Sequence, residues 1–398
     1  MKRRDFVVKS SAAVAATTVF GTLSANTYNF DKPIQIAVIG TGDRGSGLIP
    51  FLNEIDGVTV AACCDVLPFR LENGLRRAGK QAKSYTDYKE LLANKDIDAV
   101  LVSTPFATHG KIAMDALKAG KHVYCEKTMT RGYKEIKEFI ELAESSGKIV
   151  QTGHQYHSSR LYVEVVKMIE EGKVGNITAF ESQWNRNWDW RRAVPDPSLE
   201  RAINWRMYEE YSGGLVAELC SHQIDFANWV TKSTPERVMG MGGIDYWKDG
   251  RETYDNVHLM YEYPKGVKAT FTCLTSNAKD DYQIKVIGDK GTIILDYTQA
   301  WFYPEGQYDN AKKVVGDVDG VSGATITTGW EEGKGIPLNI HHADPSKQAL
   351  MDFRDSILTN KQPISNVVTG GNTAIAVQMG IDAMHQNKIV HWDDVSLS

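Results

Sequence analysis

Apolar and polar positions follow two different patterns along the chain, and the change falls near residue 155. Before it, unbroken apolar runs alternate with segments of helical period. IQIAVIG after Pro33, VTVAACCD (58–65), IDAVLVST (97–104), HVYCEK (122–127) and IVQTGH (149–154) read as strands apolar on both faces. Ser46 to Asn53, Pro68 to Ala78, His109 to Ala119 and Lys134 to Ser145 read as the helices between them. Strands of that kind alternating with helices predict an α/β, doubly wound parallel sheet over 33–155.

Beyond residue 155 a helix at 160–171 gives way to strand-like runs at 177–185, 257–263, 268–275, 282–288 and 291–297. Turn signals rather than helices separate most of them, which predicts a large, mostly antiparallel open sheet. Residues 156–398 thus read as an α+β domain, closed by helices at 346–359 and 371–387. The glycine-rich stretch 304–345 suggests no regular element.

The first 25 residues stand apart. Lys2, Arg3 and Arg4 precede a mild apolar run from Ser11 to Ala25, too short and too rich in Ala and Thr to span a bilayer. Paired Arg3–Arg4 with Phe6 and Lys9 resembles a twin-arginine export signal, which implies a periplasmic protein starting near Asn26. A basic tail on a cytoplasmic protein is the alternative. No cysteine lies near the expected cleavage point, so no lipid or other stable membrane anchor is indicated.

Composition changes this picture little. The chain has 398 residues, 42% of them hydrophobic and 24% charged, and a formal net charge of −5. With no basic stripe, nucleic acid is excluded as a partner. The five cysteines follow neither a zinc spacing nor a redox CxxC, and read as small buried residues.

Candidate chemistry begins at Gly40-Thr-Gly42-Asp43-Arg44-Gly45, a G-x-G-x-x-G turn between a strand and a helix. The first glycine permits the tight turn, the second lets backbone approach a pyrophosphate, and the third lets helix pack on strand. Asp65 ends the second strand, where a carboxylate accepts ribose hydroxyls and repels a 2′-phosphate. NAD is therefore expected as cofactor, with NADP the lesser alternative because Arg70 is close in sequence.

Two longer stretches, STPFATHGKIAMDALKAGKHVYCEKTM (103–129) and SGGLVAELCSHQIDFANWV (212–230), carry further polar groups. They fit THxxxAxxALxAGKHVxxEK and GGxxxExxxHxxD, and through them the chain resembles the Gfo/Idh/MocA oxidoreductases. That resemblance implies a Rossmann domain followed by an open-sheet domain. It also implies that Lys127, Glu218 and His222 line the reacting carbon, with Thr104, Pro105, His109 and Glu126 on the cofactor side. Two positions depart from the family pattern: Thr128 stands where proline is usual, and Glu218 where aspartate is usual.

The residue types suit alcohol oxidation independently. A base must take the hydroxyl proton while hydride leaves the same carbon, and histidine or a desolvated lysine can do so near neutrality. Glu218, His222, Asp225 and Trp229 fall on one strip of a helix, beside an apolar strip of Leu215, Leu219, Phe226 and Val230. A satisfied core histidine or a surface lysine is the plain alternative for each residue taken alone.

For substrate, His154, Gln155 and Tyr156 lie where the last parallel strand ends, and QWNRNWDWRR (183–192) and NWR (204–206) flank the expected cleft. Trp188, Trp205, Trp184 and Trp190 offer flat faces to a sugar. Arg191, Arg186, Arg192 and Asn185 offer donors to hydroxyls or to an anion, and Asp225 an acceptor. His341–His342 beside Asp344 suggests a metal, but without a second carboxylate cluster a substrate or structural role is preferred and no metal is expected.

The expectation is an exported NAD-dependent oxidoreductase acting on a sugar or glycoside ring hydroxyl, such as C3, with tightly bound and recycled cofactor. It is also expected to form homo-oligomers through the open sheet. A redox-neutral, NAD-dependent glycosidase and a non-catalytic sugar-binding protein are the alternatives.

Overall fold

The parallel sheet forms from six strands: β1 (Ile34–Ile39), β2 (Val58–Cys64), β3 (Lys83–Tyr85), β4 (Ala99–Val102), β5 (His122–Cys125) and β6 (Val150–Thr152). Their order is β3-β2-β1-β4-β5-β6, every pairing parallel, as in a doubly wound dinucleotide-binding sheet. Alternation along β1 shows why its run is continuously apolar. Ile36 and Val38 enter one core while Ala37 and Ile39 enter the other, so both faces are covered. The covering helices are α1 (Asp43–Asn53), α2 (Pro68–Ala78), α3 (Tyr88–Ala93), α4 (His109–Lys118) and α5 (Tyr133–Ser146). The short β3 and α3 carry no long apolar run, and the sequence pattern gave no sign of them. This computed structural model describes residues 32–305, 335–340 and 343–396. The export-signal reading of residues 1–25 and the His341–His342 pair lie outside the described residues.

After α6 (Arg160–Glu170) the second sheet begins with β7 (Ile177–Trp184). A helix, α7 (Ser221–Thr231), precedes β8 (Arg237–Gly243), β9 (Asn256–Tyr263), β10 (Val267–Leu274), β11 (Tyr282–Gly288), β12 (Gly291–Leu295) and β13 (Ala300–Pro304). The two-residue strands β14 (Ile336–Pro337) and β15 (Val390–His391) close its edges, in the order β14-β13-β12-β11-β7-β10-β9-β8-β15. All pairings are antiparallel except β7 with β10. Along β9, Val257, Leu259, Tyr261 and Tyr263 point into the core while His258 and Met260 face out. One face of the sheet is therefore packed against helices and the other is open, with Met239, Met241 and Met260 exposed on it.

The last two long helices, α8 (Pro345–Thr359) and α9 (Val367–His385), return to the first sheet. Ala349, Leu350 and Phe353 of α8 enter the same core as β1 and α1, and Val367 and Ala374 of α9 enter the core on the opposite face. The described residues from Pro33 onward thus make one compact unit, in which the boundary read at 155/156 falls between the two sheets. Helix α9 begins four residues before the expected 371, because Asn366 caps it by accepting from the amides of Val368 and Thr369. Gly370 is used there for packing: a Cβ would stand 2.3 Å from Thr152 Cγ2. All five cysteines are free and buried. Among the described residues no helix is long and apolar enough to cross a membrane.

Candidate active site

A cleft of about 800 Å³ runs along the C-terminal ends of β1, β2, β4 and β5 and faces the start of α7. Its nucleotide half is built on the glycine turn. Gly40 has φ +87°, and a Cβ there would stand 2.6 Å from the Ser103 carbonyl oxygen. A Cβ on Gly45 would meet the Gly40 oxygen at 1.9 Å, so this glycine packs under the turn and does not line the cleft. Gly42 differs: its Cβ would meet nothing nearer than the Arg70 guanidinium, at 3.6 Å. The open side of the turn is the side where a pyrophosphate must approach. No side chain caps the N-terminus of α1, and Asp43 and Arg44 of its first turn line the cleft. Uncapped first-turn amides suit an anion.

Asp65 anchors this turn. Its two oxygens accept the amides of Thr41 (2.8 Å) and Leu67 (2.9 Å), and the residue lines the cleft. Oδ2 also lies 3.4 Å from Thr41 Oγ1, while Oδ1 has a single donor among the described residues and keeps a lone pair for a ribose hydroxyl. The residues present therefore fit a dinucleotide. Arg44 does not extend toward it freely, since its Nε donates to Glu126 Oε1 (2.8 Å) and its Nη1 to Ser346 Oγ (3.1 Å) of α8. Thr104, Pro105, His109 and Glu126 also line this half. The His109 ring nitrogens lie 3.0 and 2.8 Å from the carbonyl oxygens of Thr128 and Thr104. That ring braces the ends of two strands against each other, and burial lowers its proton affinity.

Lys127 follows β5 where the two halves meet. Its Nζ donates to the carbonyl oxygen of Glu218 (2.9 Å), and the Lys127–Thr128 peptide, where the family pattern has proline, is cis. Thr128 Oγ1 adds a bond to the carbonyl of Ala217 (3.0 Å). Both acceptors belong to Val216–Cys220, a π-helical turn that leads into α7. A π-turn leaves carbonyls offset from the α-helical ladder, and such turns recur at functional sites. Burial lowers the proton affinity of Lys127, with Glu218 and Glu126 opposing. Burial would raise that of Glu218, but Arg206 and Lys127 outweigh it and hold the carboxyl ionised. Arg206 Nε donates to Glu218 Oε2 at 2.8 Å.

His222 lines the cleft one turn further on. Burial, then the nearby Lys127 charge, pushes its proton affinity well below the ordinary value, so the ring is neutral. Three aromatic groups hold it: Tyr156 at 5.2 Å, Trp184 at 5.6 Å and His154 at 5.8 Å between ring centroids. Among the described residues its buried Nδ1 has no hydrogen-bond partner.

The expected polar strip along α7 reaches the cleft only through Glu218 and His222. Every residue from Ser221 to Ala227 is buried, so beyond His222 this part of α7 has no open strip for the cleft to border. Asp225 instead points beneath the floor, with Oδ2 2.8 Å from His157 Nε2 and Oδ1 3.8 Å from His154 Nδ1. Thr373 Oγ1 donates to it at 3.0 Å. The reading of Asp225, His154 and Tyr156 as substrate contacts is corrected accordingly: they lie behind His222. Tyr156 is stacked on Tyr162 at 4.5 Å.

Opposite the nucleotide half, Gln155, Trp188 and Trp205 line the cleft, together with Trp184, Trp190, Arg186 and Arg192. Trp188 is 41% exposed at the lip, with the Arg192 guanidinium 4.4 Å from its ring. Arg192 Nε reaches Asp43 Oδ2 (3.1 Å), joining the lip to the glycine turn. Trp190 holds φ +66°, a costly conformation for a bulky residue. Arg191 does not line the cleft: it pairs with Glu200 and Asp249 and donates from Nη2 to the Asp249 carbonyl (2.8 Å). Acidic neighbours on that side claim it. Arg206 is the residue the sequence reading missed. NWR stood out, but nothing local ties Arg206 to a carboxylate twelve residues away. Among the described residues no group of three or more His, Cys, Asp or Glu could hold a metal ion.

The fold and cleft define a two-sheet protein with a Rossmann nucleotide site. Two family models match it. One, an oxidoreductase family NAD-binding Rossmann fold, covers residues 34–154, and the GFO/IDH/MocA C-terminal domain covers 162–294. The chain belongs to the Gfo/Idh/MocA oxidoreductase family, and its first domain is that family's NAD-binding fold. An uncharacterized oxidoreductase of Schizosaccharomyces pombe is 33% identical over 248 residues, 62% of this chain and 65% of that protein. Inositol 2-dehydrogenase of Salmonella typhimurium is 31% identical over 200 residues, 50% of this chain and 54% of that one. The chain thus spans about half to two thirds of these curated relatives. Among solved structures, levoglucosan dehydrogenase with NADH and levoglucosan has a TM-score of 0.72 at 19% identity, covering 90% of this chain and 99% of that chain. Aldose-aldose oxidoreductase of Caulobacter crescentus scores 0.70 at 20% identity, covering 90% and 100%. Both likenesses concern the fold.

Proposed function

We propose that the protein is an NAD-dependent oxidoreductase acting on a ring hydroxyl of a sugar or glycoside, with C3 as the reacting carbon. The observation that carries this reading is the neutral His222 imidazole and the half-buried Lys127 ammonium on one cleft wall, at the junction of its two halves. His222 takes the hydroxyl proton, and Lys127 donates to the same oxygen as negative charge develops on it. Glu218, ionised against Arg206, balances the lysine charge, and its carbonyl aims the ammonium. Bound NAD supplies the hydride acceptor. The tryptophan faces and Gln155 orient the ring. Relatives named inositol 2-dehydrogenase and levoglucosan dehydrogenase support a polyol or sugar substrate.

The basic head of residues 1–25 supports export of the folded protein with NAD already bound, so the cofactor is recycled within the site. The open face with Met239, Met241 and Met260 supports pairing of subunits through the second sheet. A redox-neutral glycosidase is the second reading, favoured by a relative named as a glycosyl hydrolase family 109 protein, 27% identical over 183 residues.

The test is to purify the protein, identify any nucleotide that co-purifies, and incubate it with sugars and aryl glycosides with and without an electron acceptor. A keto sugar that accumulates only with acceptor supports the dehydrogenase. Aglycone release without net reduction supports the glycosidase and contradicts the first reading.

A further inference from the structure

Seven basic and four acidic side chains line the cleft, and most of the arginines are already paired. Arg44 is held by Glu126, Arg192 by Asp43, Arg201 by Glu210 and Glu252, and Arg206 by Glu218. On the substrate half, Arg186 is different. Among the described residues it forms no ion pair, and its polar side-chain neighbour is the hydroxyl of Tyr297. The other unpaired arginine of the cleft, Arg70, lies against Gly42 in the nucleotide half, where the cofactor's phosphates approach.

The half-buried guanidinium of Arg186 approaches two indoles, 4.9 Å from the Trp184 ring centre and 5.9 Å from that of Trp190. Its own backbone is fixed, because the Arg186 amide donates to the Leu274 carbonyl at 2.7 Å. Trp184 also lies 5.6 Å from the His222 ring. One indole therefore separates the proposed base from an uncompensated cation, a span that one pyranose with an exocyclic group bridges.

We propose that the substrate is a carboxylate-bearing sugar, a uronic acid or its glycoside, and that Arg186 receives its carboxylate. This rests on the sugar-oxidising reading of the cleft given above. A guanidinium presents a planar fork of donors that matches a carboxylate in two parallel hydrogen bonds. The neighbouring indoles lower the local dielectric around that pair, which strengthens it relative to a fully exposed one. A neutral sugar would leave the cation facing hydroxyls alone. A single unpaired guanidinium balances the one charge of a carboxylate and leaves part of a phosphate dianion uncompensated.

Binding rather than turnover provides the test, so that it stands apart from the oxidoreductase reading. The full-length, cofactor-loaded protein is titrated calorimetrically with matched pairs: glucuronate and glucose, galacturonate and galactose, mannuronate and mannose. Glucose 6-phosphate is the charged control. At least one uronate should bind about ten- to a hundred-fold more tightly than its neutral partner, the gain of a charge-assisted bidentate bond. In Arg186→Gln that ratio should fall to near one, and Arg186→Lys should restore part of it. Three pairs with ratios near one, a ratio unchanged in Arg186→Gln, or a phosphate that outbinds every uronate would each overturn the proposal. If the uronate preference holds while no sugar reduces the bound nicotinamide, the catalytic reading fails and the anion site stands.

Discussion

Lys127 Nζ donates a 2.9 Å hydrogen bond to the carbonyl of Glu218, a residue 91 positions further along the chain. That bond ties the end of a Rossmann strand to the π-turn before α7, and it puts an ammonium where the two halves of the cleft meet. Replacing Lys127 by methionine removes the donor while keeping a long side chain. The expected result is a fall in kcat of about 10²- to 10⁴-fold, the usual contribution of a positioned proton-handling group. Nucleotide affinity, read by quenching of tryptophan fluorescence, should change little. A variant that keeps full turnover would remove Lys127 from the site.

The three glycines of the turn should separate by phenotype. Gly45→Ala forces a Cβ to 1.9 Å from backbone and should cost roughly 3 kcal/mol or more of stability, measured by denaturant unfolding. Gly42→Ala meets only the tip of Arg70 at 3.6 Å, so it should fold normally and lose nucleotide affinity. Equal stability losses in both would contradict the assignment of the open side of the turn.

Arg191→Ala tests the placement of Arg191 outside the cleft. Its pairs with Glu200 and Asp249 are partly exposed, so the loss should be about 1 kcal/mol of stability. kcat/KM should stay near the native value. A large rise in KM without destabilisation would return Arg191 to the substrate site.

Acid dependence follows from the buried imidazoles. Burial holds the proton affinities of His109, His154 and His222 below their ordinary value of 6.5. Below that pH the unfolded chain takes up protons that the folded protein does not. Stability is therefore complete above about pH 6.5 and declines as the pH falls. Thermal unfolding between about pH 8 and 5 should show this decline, and a His154→Gln, His222→Gln double variant should show less of it. The acid limb of kcat/KM should likewise lie below 6.5, since His222 is already a free base at neutrality. A limb well above neutrality would instead make Lys127 the base.

Much of this was legible in the residues, and the gaps have physical causes. IQIAVIG and GTGDRG gave β1, the turn and the parallel sheet, because a buried strand and a glycine turn are local features. Glu218 and His222 were identified from one motif, and both line the cleft. The π-turn at Val216–Cys220 was not legible, since helical period does not distinguish one wide turn from a regular one. Assigning Asp225 to the cleft failed because its side of α7 is covered, which depends on α9 folding back beside it. The pairing of Arg206 with Glu218, like that of Arg44 with Glu126, joins residues with no common local spacing.

In the proposed reaction, hydride passes from a ring carbon of a sugar to the bound nicotinamide. The most direct measurement uses whichever sugar or glycoside reduces the cofactor, deuterated at C3, in a single turnover, with the recovered nucleotide examined by mass spectrometry. The expected result is deuterium on the nicotinamide, loss of the signal in Lys127→Met, and a sugar product lighter by one deuterium and one hydrogen. Label that stays on the sugar, or passes to water while the nicotinamide remains unlabelled, would contradict it.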